Sequence, residues 1–217
     1  MSGLVLHDHP WSSNAQKARL MLDLLGLEYE TREVPFEAER AEWHVAVNPV
    51  GGIPALLDGD FALAESNTIL RYLADREGRD DLYPRDPQAR ARIDWVLDLW
   101  GIMVRPALFG YESAQYGIVP GLGLFAKDAP PAAEVAELFA AQAPKLNRAM
   151  AVLDDPGPWA CHGRLTIADL ASTPVLHRAL HAPIDLDLVP RMRVWAEATN
   201  ALPEWQALVP GCGVPDR

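Results

Sequence analysis

Asn48-Pro49-Val50-Gly51-Gly52-Ile53-Pro54-Ala55-Leu56-Leu57-Asp58-Gly59 is the stretch on which the reading of this chain turns. A short apolar run, Ala55 to Leu57, begins directly after a proline. Proline has no N–H to give to a sheet, so Pro54 belongs at the start or edge of a strand. The residue before it, Ile53, is pushed into extended backbone. Its N–H and C=O then have no obligatory ladder partner on the proline side. That suits a peptide-like ligand pairing as an added strand. Gly51 and Gly52 let another backbone approach closely. Asp58-Gly59 turns the chain into a second short strand, Asp60 to Leu63. Taken alone, the plainer reading is a hairpin with a proline at its entrance.

Upstream, Leu4-Val5-Leu6 reads as a short buried strand. A helical pattern follows Ser12-Ser13-Asn14, with Ala15, Ala18, Leu22 and Leu25 on one face and Gly26 as its stop. Ser13 and Gln16 fit a capping box, which would leave the Ser12 hydroxyl just outside the helix, beside exposed N–H groups. A thiol placed there would be stabilised as its anion. The alternative is that Ser12 is itself the cap and nothing more. Glu28 to Val34 alternates as a strand, and Phe36 to Val47 is a weak, glutamate-rich helix. After the Pro54 hairpin, Ile69, Leu70 and Leu73 mark another helix with Glu65-Ser66 at its start. Ser66 is a fitting cap. Equally, Ser66 and the first amides could take a carboxylate while Glu65 pairs with an ammonium. The order of elements gives a βαβ unit whose crossover is right-handed and parallel.

The second part of the chain reads as helical. Ile93, Val96, Leu97 and Trp100 share a face, and Pro106 kinks or ends that helix. Tyr111 to Pro131 is broken by glycine and proline. Ala132 to Leu153 places Val135, Leu138, Phe139 and Leu146 inward, with a bend at Pro144. Ile167 to Leu180, Val189 to Thr199 and a short segment near Trp205 complete the set. No strand candidate longer than Trp159-Ala160-Cys161 appears here. Helical hairpins packed on one another are expected. Thr166 as cap, Asp169 as its N3 partner and Leu165 against Leu170 form a capping box with a hydrophobic staple.

Composition narrows the partners. The 217 residues are 49% apolar, ample for a core, and nothing reads as disordered. A net charge of −11 argues against nucleic acid and against an anionic membrane surface. Two cysteines, Cys161 and Cys212, make no disulfide framework, and six scattered histidines give no metal spacing. No signal peptide or bilayer-spanning run is present, so a cytoplasmic location is expected.

The serine before the first helix, the Ile-Pro step at the third strand and the Glu-Ser pair at the next helix coincide. With the Asn48 to Leu56 motif and the Gly163 to Leu170 capping segment, this resembles the cytosolic glutathione S-transferases of serine type (theta-, zeta- and phi-like). The resemblance implies an α/β thioredoxin-like N-terminal domain (1–78), a linker (79–87) and an all-α helical-bundle C-terminal domain (88–217). It implies a cis Pro54, glutathione as co-substrate without a metal, Ile53 and Pro54 on its cysteinyl part, and Glu65 and Ser66 on its γ-glutamyl end. Ser12 matches the serine that donates to the thiolate, with Ser13 as the other assignment. Gly52 stands where many members have Gln or Lys. For the glycine carboxylate, Arg40 and His44 are the available cations. Trp11, Leu108, Tyr111 and Tyr116 are candidates for a pocket taking a small hydrophobic electrophile. The implied activity is glutathione transfer. Alternatives are thiol exchange, peroxide reduction, isomerisation, ether cleavage, or binding without catalysis. A homodimer is implied by the family rather than by any feature of the sequence.

Overall fold

The computed structural model describes residues 3–35, 40–108, 118–119, 124–125, 132–154 and 157–212. Strand β1 (Leu4–Asp8) lies inside a four-stranded sheet of order β2-β1-β3-β4. It runs parallel to β2 (Tyr29–Glu33) and antiparallel to β3 (Ala55–Asp58), which pairs antiparallel with β4 (Phe61–Ala64). Leu4 and Leu6 are buried, as a central strand demands, whereas edge strand β2 is mostly exposed. Helix α1 (Ser13–Leu24) provides the crossover between β1 and β2 and stops where Gly26 turns left-handed, at φ 64°. Short α2 (Glu42–Val45) precedes β3, and α3 (Ser66–Arg76) follows β4. Gly59, at φ 59°, supplies the turn between β3 and β4. The first unit thus has the thioredoxin-like order expected.

The second unit is helical among the described residues, apart from a two-residue strand pair, β5 (Ile118–Val119) with β6 (Leu124–Phe125). Its helices are α4 (Pro87–Leu99), α5 (Ala132–Met150), α6 (Ile167–His181), α7 (Pro190–Asn200) and α8 (Pro203–Leu208). α6 is the hub. Every residue from Ile167 to Ala179 is buried, and the helix packs on α1, α3, α4 and α7. A helix surrounded on all sides needs side chains that are apolar or locally paired all round. Ser172 and Thr173 meet that need by donating to backbone carbonyls one turn back. The core is continuous from Leu6, Leu20 and Leu56 under the sheet to Phe139, Leu170, Trp195 and Trp205 among the helices.

Two expectations are corrected and a third is narrowed. Of the two readings at Pro106, an end to the helix fails, since residues 105–108 are helical. The disturbance sits just upstream, in a π-helical turn, Trp100–Val104, where the Arg105 N–H donates to Trp100 O. Proline at 106 cannot donate to the carbonyl four residues back and crowds it; widening the preceding turn accommodates both. Leu138, assigned inward, is 53% exposed, while Val135, Phe139 and Leu146 are buried as expected. Trp159-Ala160-Cys161 is no strand; Cys161 makes a single bridge to Arg164.

The Thr166 box forms as read. Asp169 Oδ2 accepts from the Thr166 N–H (2.8 Å) and hydroxyl (2.9 Å). Its Oδ1 accepts from the Ala160 N–H and the Trp195 indole, both at 2.8 Å. Burial nevertheless pushes the Asp169 carboxyl up to about 6.

Candidate functional site

The start of α1 shows which of the two serines caps the helix. Ser12 is the cap: its backbone is extended and its Oγ accepts from the Ala15 N–H at 3.2 Å. The Ser13 and Gln16 box is therefore a misreading. Gln16 is drawn away from the helix start, donating to Pro10 O (2.7 Å) and Cys212 O (3.1 Å). Ser13 is the first helical residue, and its Oγ accepts from Arg105 Nη2 at 2.9 Å.

The Ser12 hydroxyl also faces the Ile53 carbonyl at 3.5 Å, a long contact across 41 residues of sequence. The Ile53–Pro54 peptide is cis. Ile53 lies outside the β1–β3 ladder, whose last pair is His7 with Ala55, and its N–H has no partner among the described residues. At the head of α3, Glu65 occupies the cap position with φ 65°, a left-handed setting that only glycine adopts without strain. No side chain caps this helix, so the expectation that Ser66 is the cap fails; Ser66 is its first residue and is buried. Glu65 is exposed.

Behind Ile53 lies a buried network that sequence reasoning missed. His44 Nε2 faces Gly52 O at 3.0 Å, and Asn48 Nδ2 donates to the same carbonyl at 2.7 Å. Because a carbonyl only accepts, His44 carries its proton on Nε2 and accepts at Nδ1. His7 Nδ1, 2.9 Å away, must then be the donor. His7 Nε2 is buried with no partner among the described residues. Burial first, then His44 and Arg32, holds the His7 imidazole down at about 4, so it stays neutral. The structure thus puts His44 to a different use from the one expected: it is fully buried and holds the loop rather than offering a nitrogen to a ligand. Arg40 lies on the same loop, its Nε donating to Gly51 O at 3.1 Å.

Between α1 and α3, Lys17 is buried, its Nζ donating to Asn67 Oδ1 at 2.7 Å. Burial, and next the Arg105 charge, hold its ammonium down at about 7, against an opposing pull from Glu65. Arg19 pairs with Asp8 at 3.3 Å within the same unit. Of the expected pocket residues, Trp11 is 37% exposed beside Ser12, and its carbonyl accepts from Arg178 of α6 at 2.8 Å. Leu108 is 2% exposed and belongs to the core, so it lines no open pocket. Tyr111 and Tyr116 lie outside the described residues. Among the described residues, no group of three or more His, Cys, Asp and Glu side chains could hold a metal ion, and no helix is long and apolar enough to cross a membrane.

The family model described as "Glutathione S-transferase, N-terminal domain" matches residues 11–76. A maleylacetoacetate isomerase of Rhizobium meliloti is 32% identical over 194 residues, covering 86% of each chain. A glutathione S-transferase of Triticum aestivum is 28% identical over 204 residues, covering 92% of this chain and 89% of its own. Among solved structures, a theta class glutathione S-transferase of Xanthomonas axonopodis pv. citri with glutathione bound superposes with a TM-score of 0.77. It is 27% identical and covers 96% of this chain and 98% of its own.

Proposed function

The chain belongs to the glutathione S-transferase superfamily, and we propose that it activates the glutathione thiol as a thiolate for attack on a small hydrophobic electrophile. The observation that carries this reading is the meeting of Ser12 with Ile53 across 41 residues of sequence. A peptide paired with the Ile53 backbone would lay its sulfur at the first turn of α1. There the Ser12 hydroxyl exchanges its long contact with Ile53 O for a shorter, charge-assisted one to sulfur. The open N–H groups of the first turn add their partial positive charge. Glu65 takes the γ-glutamyl ammonium, and Ser66 with the first amides of α3 takes its carboxylate. Arg40 is the cation assigned to the glycine end. The thiol proton passes to solvent as the thiolate forms; the sulfur lone pair then bonds to the electrophilic carbon, and the displaced electron pair leaves with the leaving group or, in an addition, takes a proton from water. The electrophile stands beside Trp11 and the start of α1.

We assign glutathione binding to 1–78, a linker to 79–87 and the helical domain to 88–217, with a homodimer in the cytoplasm as the working unit. Glutathione-dependent isomerisation is the second reading. It draws on the 32% identity to a maleylacetoacetate isomerase; Ser12-Ser13 is similar to the start of the zeta class's Ser-Ser-Cys pattern, and Asn14 in place of the Cys counts against this reading.

Ser12→Ala is the test. Turnover with a conjugating substrate should fall by about 10²-fold, with a far smaller change in glutathione affinity. Full activity in that variant, with Ser13 intact, overturns the assignment.

A further inference from the structure

We propose that Gln16 is a positioning residue for the Ser12 hydroxyl: its buried amide fixes the Pro10 carbonyl, and with it the loop that sets Ser12 against the bound sulfur. The proposal rests on the glutathione reading above, but its observation is separate. The Gln16 side chain is fully buried, and its Nε2 donates to Pro10 O at 2.7 Å and to Cys212 O at 3.1 Å. Its Oε1 accepts from Arg178 Nη2 at 3.3 Å. One amide thus spends its donors and its acceptor on three separate segments: the loop before α1, the turn at Cys212 and α6.

The main chain ties the same residue to Ser12 a second time. The Gln16 N–H donates to Ser12 O at 2.7 Å, the helical bond across four residues. Ser12 is therefore gripped twice by Gln16. The backbone holds its own carbonyl, and the side chain holds the carbonyl two residues earlier. The rest of the loop is fastened to match. The Ser12 N–H donates to His9 O at 2.9 Å, and Trp11 O accepts from Arg178 Nη2 at 2.8 Å. Arg19 Nη2 adds a longer bond to Pro10 O at 3.2 Å. Every carbonyl from His9 to Ser12 thus has a donor.

An anion makes this fastening count. A carbonyl oxygen carries negative partial charge and repels a thiolate, whereas an N–H attracts it. The Pro10–Trp11 peptide cannot turn its oxygen toward the sulfur without losing the 2.7 Å bond to Gln16. The hydroxyl itself has little slack. Ser12 Oγ accepts from the Ala15 N–H at 3.2 Å and donates to Ile53 O at 3.5 Å, so a small drift of the loop alters both contacts. A hydrogen bond to a developing anion contributes fully only when the donor is already in place. Gln16 touches neither the tripeptide nor the electrophile in this arrangement and acts through Ser12.

A double-mutant cycle on the whole protein separates this role from a mere tie between segments. Gln16→Met keeps the length of the side chain and removes its donors. It should lower kcat for conjugation of glutathione to an aryl halide by about 10-fold, with the KM for glutathione little changed. In a Ser12→Ala protein the same substitution should cost almost nothing, because no hydroxyl is left to place. Equal fold losses in the two backgrounds overturn the proposal, and so does full activity of Gln16→Met. Should Gln16→Met fail to fold, Gln16→Glu keeps the acceptor toward Arg178, loses the donors and carries the same outcomes. Full activity of Ser12→Ala alone brings down the reading of the site, and this inference with it. A loss in Ser12→Ala without coupling to Gln16 brings down the inference only.

Discussion

Two helices of this protein begin with a hydroxyl residue at the cap, α1 at Ser12 and α6 at Thr166, and the two starts are finished in opposite ways. At α6 the third helical residue is Asp169. It closes the box and goes on to collect the Ala160 amide and the Trp195 indole, so both of its oxygens are doubly used. At α1 the third helical residue is Ala15, which offers only its N–H. Ser12 caps alone at 3.2 Å, and the amides before Ala15 gain no side-chain acceptor among the described residues. The same local device is saturated where it must hold the core together and left open where a ligand is expected. Saturation stabilises the fold, whereas open donors stabilise an incoming anion.

That contrast can be broken from either side. Asp169→Ala should have the largest effect. It strips partners from several buried donors at once and should lower the unfolding free energy by about 3–5 kcal/mol, measured by urea denaturation. Ser12→Ala, by comparison, should cost about 1 kcal/mol. Equal losses at the two caps would remove the distinction.

The next effect is in acid. The His7 imidazole ordinarily titrates at 6.5 but is held at about 4 in the fold. Between those values the unfolded chain takes up a proton that the folded one refuses. The His7 contribution to stability is therefore complete above pH 6.5 and is lost as pH falls through 4, by about 1–3 kcal/mol. His7→Gln should flatten this part of the pH–stability curve, and a curve that keeps its acid slope would assign the loss to other groups. Because His7 supports His44, and His44 the Gly52 carbonyl, glutathione binding by the folded protein should weaken only as pH falls through about 4.

The smallest effect is at Glu65, where stability and binding should move oppositely. Glu65→Gly relieves the left-handed backbone and should raise stability by about 1 kcal/mol while raising the KM for glutathione. A variant that gains stability and keeps its KM would show that Glu65 does not touch the tripeptide.

What could be read in advance was whatever has a local signature. Leu4 to Leu6, the Asp58-Gly59 turn, Gly26 and the Thr166 to Asp169 box are each written within a few residues, and each forms. The Ser13 and Gln16 box is equally local and does not form, because Pro10 O and Cys212 O outbid the helix start for the Gln16 amide. The features that were missed all depend on distant pairings. His7 meets His44 across 37 residues and Arg105 meets Ser13 across 92. Neither histidine spacing nor a single arginine announces such a contact. The π-helical turn has no residue signature of its own beyond the proline that follows it.

The Gln16 contact has a consequence in time. A ribosome delivers Gln16 196 residues before the carbonyl of Cys212 to which its amide is tied. Arg178, which reaches Trp11 O and Gln16 Oε1, emerges 162 residues after Gln16. The sheet that presents Ile53 can form early, since all its strands lie within the first 64 residues. The helix that presents Ser12 is fastened only after Arg178 and Cys212 have both emerged. A nascent chain should therefore expose a folded peptide-docking edge well before it can hold a thiolate.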